Sequence, residues 1–289
     1  MQDGRSDEAG RAVYPDEVRL LHWFSRCAQV IVAFSGGVDS SLVLAAASRA
    51  LGPSNVEAVT AVSESLPSGM LPIAQRLAVS LGVSHTEITT REIDNAGYSA
   101  NGASRCYFCK ATLIDTIAAA RHIGRESVLL TGTNADDVRA GWRPGIRAAA
   151  ERGVGTPLAD TGMSKEDVRS LSRRWDLPGW DRPASPCLSS RVAYGVRITP
   201  ARLARVDAAE QAVRSALEQA GVTVYDLRVR DLGDAVRLEV DAASVSAVRQ
   251  VRAVPDAIAA SGFNAERLDI GPFRSGSLNA VLPAELRFR

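Results

Sequence analysis

The chain has 289 residues, 46% of them apolar and 5% aromatic, and a formal net charge of +1. That length provides one large domain or two ordinary ones with ample material for a core, and the near-neutral charge leaves no broad electrostatic footprint for nucleic acid. No apolar run reaches the ~18 residues of a membrane span, the opening residues are polar and acidic rather than a signal peptide, and the four cysteines are too few and too unevenly spaced for a disulfide scaffold. The expectation is a cytoplasmic protein whose cysteines serve metal binding or catalysis.

In chain order, residues 1–13 are expected to be disordered and 17–27 to form an amphipathic helix with Val18, Leu21 and Phe24 on one face; Cys27 fits the core as a small hydrophobe. The β-branched run Val30-Ile31-Val32 suits a strand buried on both faces. Ser35-Gly36-Gly37-Val38-Asp39-Ser40 follows as a glycine turn, and residues 40–51, rich in Ala and Leu, read as a helix. Free backbone N–H groups and the positive helix end make this turn an anion site, with phosphate the natural ligand. It is not a Walker loop, because the only lysines are Lys110 and Lys165, and GxGxxG is absent.

Residues 56–62 predict a second strand, 71–81 a helix, and 84–90 a third strand, an alternation that argues a parallel sheet with crossover helices. A Gly, Asn and Ser loop over 91–104 leads into Arg105-Cys106-Tyr107-Phe108-Cys109-Lys110 and a helix to Arg121. A buried strand over 127–131 precedes Gly132-Thr133-Asn134-Ala135-Asp136-Asp137. Both glycine-bearing loops lie beyond the carboxyl ends of strands, where ligands gather in open α/β sheets. Asp136 is therefore the candidate to hold Mg²⁺ with Asp39, while Asp137 reads as a helix cap. Residues 138–152 are Arg-rich without clear periodicity.

Ser164 with Asp167 forms a capping-box pattern before a helix to Trp175, and Leu177-Pro178-Gly179 ends it. Residues 182–191, Arg-Pro-Ala-Ser-Pro-Cys-Leu-Ser-Ser-Arg, hold too many prolines and hydroxyls for regular structure, and such a loop is a place for function. From residue 197 the texture changes to a smaller α+β domain. It comprises a long Ala-rich helix over 199–220, strands over 226–230 and 235–240 around Leu232-Gly233-Asp234, a helix over 243–261 that Pro255 interrupts, and a tail containing Phe273-Arg274-Ser275-Gly276-Ser277-Leu278-Asn279.

The Ser35–Ser40 turn resembles the SGGxDS signature of the PP-loop ATP pyrophosphatases. Taken with Cys-Tyr-Phe-Cys-Lys, Gly-Thr-Asn-Ala-Asp-Asp, Ser-Pro-Cys-Leu-Ser-Ser-Arg and Arg-Ser-Gly-Ser-Leu-Asn, the chain from 17 to 279 is similar to the LarE-type ATP-dependent sulfur transferases, which make the thiocarboxylates of the nickel-pincer nucleotide cofactor. The resemblance implies an α/β fold with a PP-loop (adenine nucleotide alpha hydrolase-like) parallel sheet and helices on both faces over 14–196. A C-terminal α+β substrate and oligomerisation domain over 197–289, and a homo-oligomer, are implied as well. It further implies ATP cleaved between the α and β phosphates with Mg²⁺, the nucleotide at Ala33, Ser35, Gly36, Gly37, Asp39, Ser40, Gly132 and Asp136. In that family the adenylated group is a carboxylate of a pyridinium mononucleotide, which needs activation because oxide leaves too poorly to be displaced directly.

In that family the cysteine at the position of Cys187 either gives up its own sulfur or joins two others as a cluster ligand. The presence of Cys106 and Cys109 resembles the branch carrying a [4Fe-4S] cluster, in which three thiolates leave one iron open. Cys187, Asp39 and Arg191 are then the catalytic candidates. An anionic substrate needs cations, for which Arg191, Arg228 and Arg230 are candidates, although the two strand arginines also suit a solvated face; Glu239, with Glu210, falls where the family has carboxylates. Lys110 suits phosphate balancing or apolar cover. Zinc binding with one of His22, His85 or His122, a redox pair, a tRNA-thiolating enzyme and a non-catalytic adenine-nucleotide sensor stay open as alternatives.

Overall fold

The computed structural model describes residues 5–6, 12–121, 127–141, 143–274, 276 and 278. Most of the stretch expected to be disordered, 1–13, lies outside the described residues, as do His122 and, from the closing motif, Ser275, Ser277 and Asn279; Arg5–Ser6 pairs antiparallel with Ala12–Val13. Internal contacts divide the chain into two units. One runs to Val62 and continues through Gly69–Thr90 and Lys110–Arg182; the other holds Ser63–Ser68, Arg91–Cys109 and the chain from Pro183 onward.

The first unit is built on strands β1 (Gln29–Ala33), β2 (Val56–Val62), β3 (Ser84–Thr89) and β4 (Ser127–Leu130), all parallel, in the order β3-β2-β1-β4. Alternate residues of a strand face opposite ways, and both faces are covered. Val30, Val32, Val56, Ala58 and Leu130 pack against α1 (Pro15–Trp23), α2 (Val38–Leu51), α3 (Met70–Ser80) and α7 (Lys165–Arg174). Ile31, Val59 and Leu129 pack on the other side, against Ile114 and Ile117 of α4 (Arg105–Arg121) and Ala149 of α6 (Pro144–Ala150). The expected α/β sheet with helices on both faces is the observed one. The short helix α5 (Ala135–Arg139) opens on a reciprocal cap between Asn134 and Asp137, the role read for Asp137 in the sequence.

The second unit has its own core. Helix α8 (Pro200–Gln219), capped by Thr199, lays Leu203, Val206, Val213 and Leu217 over a sheet of β5 (Leu227–Asp231), β6 (Val236–Val240) and β7 (Leu268–Pro272). β5 and β6 pair antiparallel as a hairpin, and β7 adds parallel to β6. Tyr98 and Leu188 belong to this core, so the unit reaches back to segments well before residue 197. The helix expected over 243–261 is two helices, α9 (Val245–Gln250) and α10 (Ala253–Ala260). The break precedes Pro255 by four residues because the proline ring clashes with the carbonyl of residue 251, whereas its missing N–H is harmless in the first turn of α10.

Candidate active site

In the first unit the chain runs from β1 to β2 to β3 on one side of β1 and then crosses to β4 on the other. The β1 and β4 loops therefore diverge at the topological switch point, the crevice where α/β sheets bind ligands. Gly36 takes φ +71°, where a Cβ would meet the Ala74 backbone nitrogen at 3.2 Å, and a Cβ on Gly132 would stand 2.7 Å from the Ser40 nitrogen; glycine is required at both places by backbone approach. The hydroxyls knit the turn: Ser35 Oγ accepts from the Gly37 N–H at 3.3 Å and lies 3.2 Å from Ser40 Oγ, while Ser41 Oγ donates to the Gly37 carbonyl at 2.8 Å. Gly37 caps α2, so the N–H groups of Val38 and Asp39 stand at the positive helix end.

Asp39 meets two partners that sequence spacing did not bring together. Its Oδ1 accepts from Asn134 Nδ2 at 3.2 Å, and its Oδ2 is ion-paired with the Lys165 ammonium. Asp136 accepts the Lys165 backbone N–H at 2.8 Å and an Arg139 η nitrogen at 3.2 Å. The two candidate Mg²⁺ ligands thus bracket one residue, Lys165, at the start of α7. Its signal in the sequence was rarity: it is one of two lysines in an arginine-rich chain.

In the second unit the segment bearing Cys187 is gripped by buried arginines. Arg191, 1% exposed, forms a two-pronged pair with Glu210 (Nε to Oε1 2.9 Å, Nη2 to Oε2 3.2 Å) and donates Nη1 to the carbonyls of Pro186 and Cys187. Arg228 donates to the carbonyls of Leu227 and Ala184. Arg230 pairs with Glu239 at 2.8 Å and donates to the Ser190 carbonyl at 3.0 Å. All five residues of β5 are buried, so the solvated-face alternative for Arg228 and Arg230 does not describe this strand. Burial and the neighbouring Arg191 push the Arg228 guanidinium down to about 10. A second set of contacts holds the same loop: Leu188 N–H donates to the Ser65 carbonyl at 2.8 Å, and the Ser65 and Ser63 hydroxyls both donate to buried Glu92 at 2.6 Å.

Because Arg191 and Glu210 are both out of water, truncating Arg191 leaves an unpaired buried carboxylate and frees two loop carbonyls. Arg191→Ala is expected to cost about 3–5 kcal/mol of stability, read as a lowered denaturant midpoint with unchanged slope.

Three of the four cysteines lie beside two buried side chains, Tyr98 and Arg105. Tyr98 shares a hydrogen bond with Ser189 Oγ, and burial together with the nearby Cys187, Cys109 and Glu92 holds its hydroxyl well above the usual phenol range. Burial draws the Arg105 guanidinium down, but Cys106, Cys187 and Tyr194 beside it more than offset this. Cys106, Cys109 and Cys187 are half-buried and form no disulfide among the described residues. Among the described residues no three Cys, His, Asp or Glu side chains form a group placed to hold a metal ion. By donor type, the three thiols of the second unit are the set that a four-iron cluster with one open iron takes.

A family model described as asparagine synthase matches residues 27–239. An uncharacterised protein of Synechocystis sp. is 39% identical over 266 residues, 91% of this chain and 96% of its own length. The pyridinium-3,5-bisthiocarboxylic acid mononucleotide synthase of Lactiplantibacillus plantarum is 32% identical over 255 residues, 88% of this chain and 90% of its own length. An uncharacterised protein of Methanocaldococcus jannaschii is 24% identical over 214 residues, covering 74% and 78% respectively.

Proposed function

The chain belongs to the LarE-type sulfur transferases of the PP-loop ATP pyrophosphatase superfamily, and from that premise we propose that it adenylates a carboxylate of a pyridinium mononucleotide and replaces one oxygen with sulfur. The first unit performs the activation. A carboxylate oxygen attacks the α-phosphorus of ATP, the bond to the β-phosphate oxygen breaks, and pyrophosphate leaves. The leaving group gathers charge that the N–H groups of the Gly37 turn and the α2 dipole offset. Asp39 and Asp136 would hold Mg²⁺, which neutralises phosphate charge, and Lys165 would exchange Asp39 for the phosphates, filling the part a Walker lysine plays elsewhere.

The second unit supplies sulfur. The observation that supports this reading is that Cys187, far along the chain from the other two, shares a neighbour with each of them, Arg105 with Cys106 and Tyr98 with Cys109. A sulfur nucleophile attacks the carbonyl carbon of the adenylate, a C–S bond forms, the C–O bond to phosphate breaks, and AMP leaves with that oxygen. When bound, a [4Fe-4S] cluster on Cys106, Cys109 and Cys187 supplies an iron with an open position for sulfide. Arg191, Arg228 and Arg230 hold carbonyls of the Cys187 loop and so aim its thiol, a positioning role that their burial and these bonds favour over substrate contact.

Without a cluster, Cys187 itself is the donor: its thiolate forms a thioester with the carbonyl, a base removes the Cα proton, and the Cβ–S bond breaks to leave dehydroalanine and the thiocarboxylate. The near-neutral charge favours a small-molecule substrate over a tRNA. With ATP and the carboxylated nucleotide supplied, the expected products are AMP and pyrophosphate, formed only when both are present. ADP and phosphate, or AMP formed without the nucleotide, would refute the activation step.

A further inference from the structure

We propose that Arg105, with Asn101, is a positioning residue that fixes the segment carrying Cys106 and Cys109 against the loop carrying Cys187. This rests on the reading that these cysteines act together in sulfur delivery, and it names the strut that sets their spacing. The argument starts at the first turn of α4. Arg105 is its first residue, immediately before Cys106, and its side chain is buried, turning back instead of following the helix into solvent. One nitrogen, Nη1, uses both of its hydrogens: one on Asn101 Oδ1 at 2.6 Å and one on the Ser189 carbonyl at 2.9 Å. The guanidinium carbon lies 5.2 Å from the Tyr194 ring centroid.

Asn101 completes the clasp. It is fully buried and left-handed at φ 56°, a conformation asparagine tolerates better than most residues. Its Nδ2 donates to the carbonyls of Ala193 and Val196, each at 2.8 Å, while its Oδ1 accepts from Arg105. The pair therefore ties residues 101–105 to carbonyls 189, 193 and 196. The Ser189 carbonyl belongs to the single turn Leu188–Arg191 that begins directly after Cys187, so what Arg105 grips is the turn that orients that thiol. A planar fork with fixed donor directions suits this task, and a lysine ammonium on a flexible stem does not. Arg230 donates to a carbonyl of this loop from β5, and Arg191, itself in the loop, ties it to Glu210 of α8, whereas the hydrogen bonds of Arg105 join it to the segment of Cys106.

The test is a short thiol-specific cross-linker, dibromobimane, applied to the full-length protein without metal, followed by peptide mapping of the Cys106–Cys187 product. The wild type is expected to give this product, and Arg105→Met to lower its yield by about tenfold, since loss of a positioning contact lets the thiols drift by an ångström or more. Arg105→Lys keeps charge and bulk and should show the same loss, so it decides the matter if the Met variant does not fold; ellipticity and thermal melting establish which variants are native. A folded variant with wild-type yield, or a wild type with no such product, overturns the proposal. Thiocarboxylate formed per pyrophosphate released should fall by a similar factor in the variants, an uncoupling that loss of stability alone does not produce. If the wild type makes no thiocarboxylate, the sulfur-transfer reading fails, while the cross-link yield still judges Arg105.

Discussion

Cys187→Ser is expected to lower thiocarboxylate formation by at least about 10⁴-fold, the scale on which enzymes lose rate when their nucleophile is removed, while pyrophosphate release that depends on the carboxylated nucleotide continues. The split follows from the division of labour proposed between the units. The SGGxDS turn, Asn134 and Lys165 belong to one, and Cys187 with its arginine cradle to the other. A serine hydroxyl keeps the size of the side chain and leaves the carbonyl contacts of Arg191 in place, so the loop should stay ordered. The mass of the wild-type protein separates the two sulfur routes: protein lighter after turnover by the mass of one hydrogen sulfide at Cys187 has sacrificed the residue, and unchanged mass assigns the sulfur to an exogenous sulfide. Product formation by Cys187→Ser at the wild-type rate would remove Cys187 from both routes.

Lys165→Met should slow adenylation by roughly 10²–10³-fold, the typical effect of deleting one charge-stabilising group from a site where negative charge develops. The substitution keeps the stem of the side chain and the backbone N–H that Asp136 accepts, so α7 should be undisturbed. It removes only the ammonium that faces Asp39. Stopped-flow detection of pyrophosphate measures the step, and nucleotide binding by calorimetry separates affinity from rate. A variant that releases pyrophosphate at the wild-type rate would show that the ion pair with Asp39 is structural and that the phosphates are neutralised by other groups.

The fold was legible wherever chemistry and chain order coincide. The apolar run before Ser35, the strand-helix alternation and the Ser164 cap are local patterns, and the parallel sheet follows from them. Strand β7 escaped because Leu268-Asp269-Ile270-Gly271-Pro272 carries turn residues that argue against a strand; it is held as the edge partner of β6, a tertiary effect. Asp137 was identified as a cap because a cap is a three-residue pattern. Lys165 was not identified as a partner of Asp39, since 126 positions separate them and no periodicity spans that distance. The arginines show the same limit. Arg191, Arg228 and Arg230 signal cation chemistry by type, yet only the fold reveals Glu210, Glu239 and the loop carbonyls as what they bind.

The central claim is that a carboxylate oxygen becomes part of AMP before sulfur arrives, and isotope placement tests it most directly. With the substrate carboxylate labelled with ¹⁸O and turned over in unlabelled water, mass spectrometry of the nucleotide should find one ¹⁸O in each AMP released and a thiocarboxylate retaining the other. Unlabelled AMP alongside thiocarboxylate would mean that no acyl adenylate forms, and the account would be wrong at its first step.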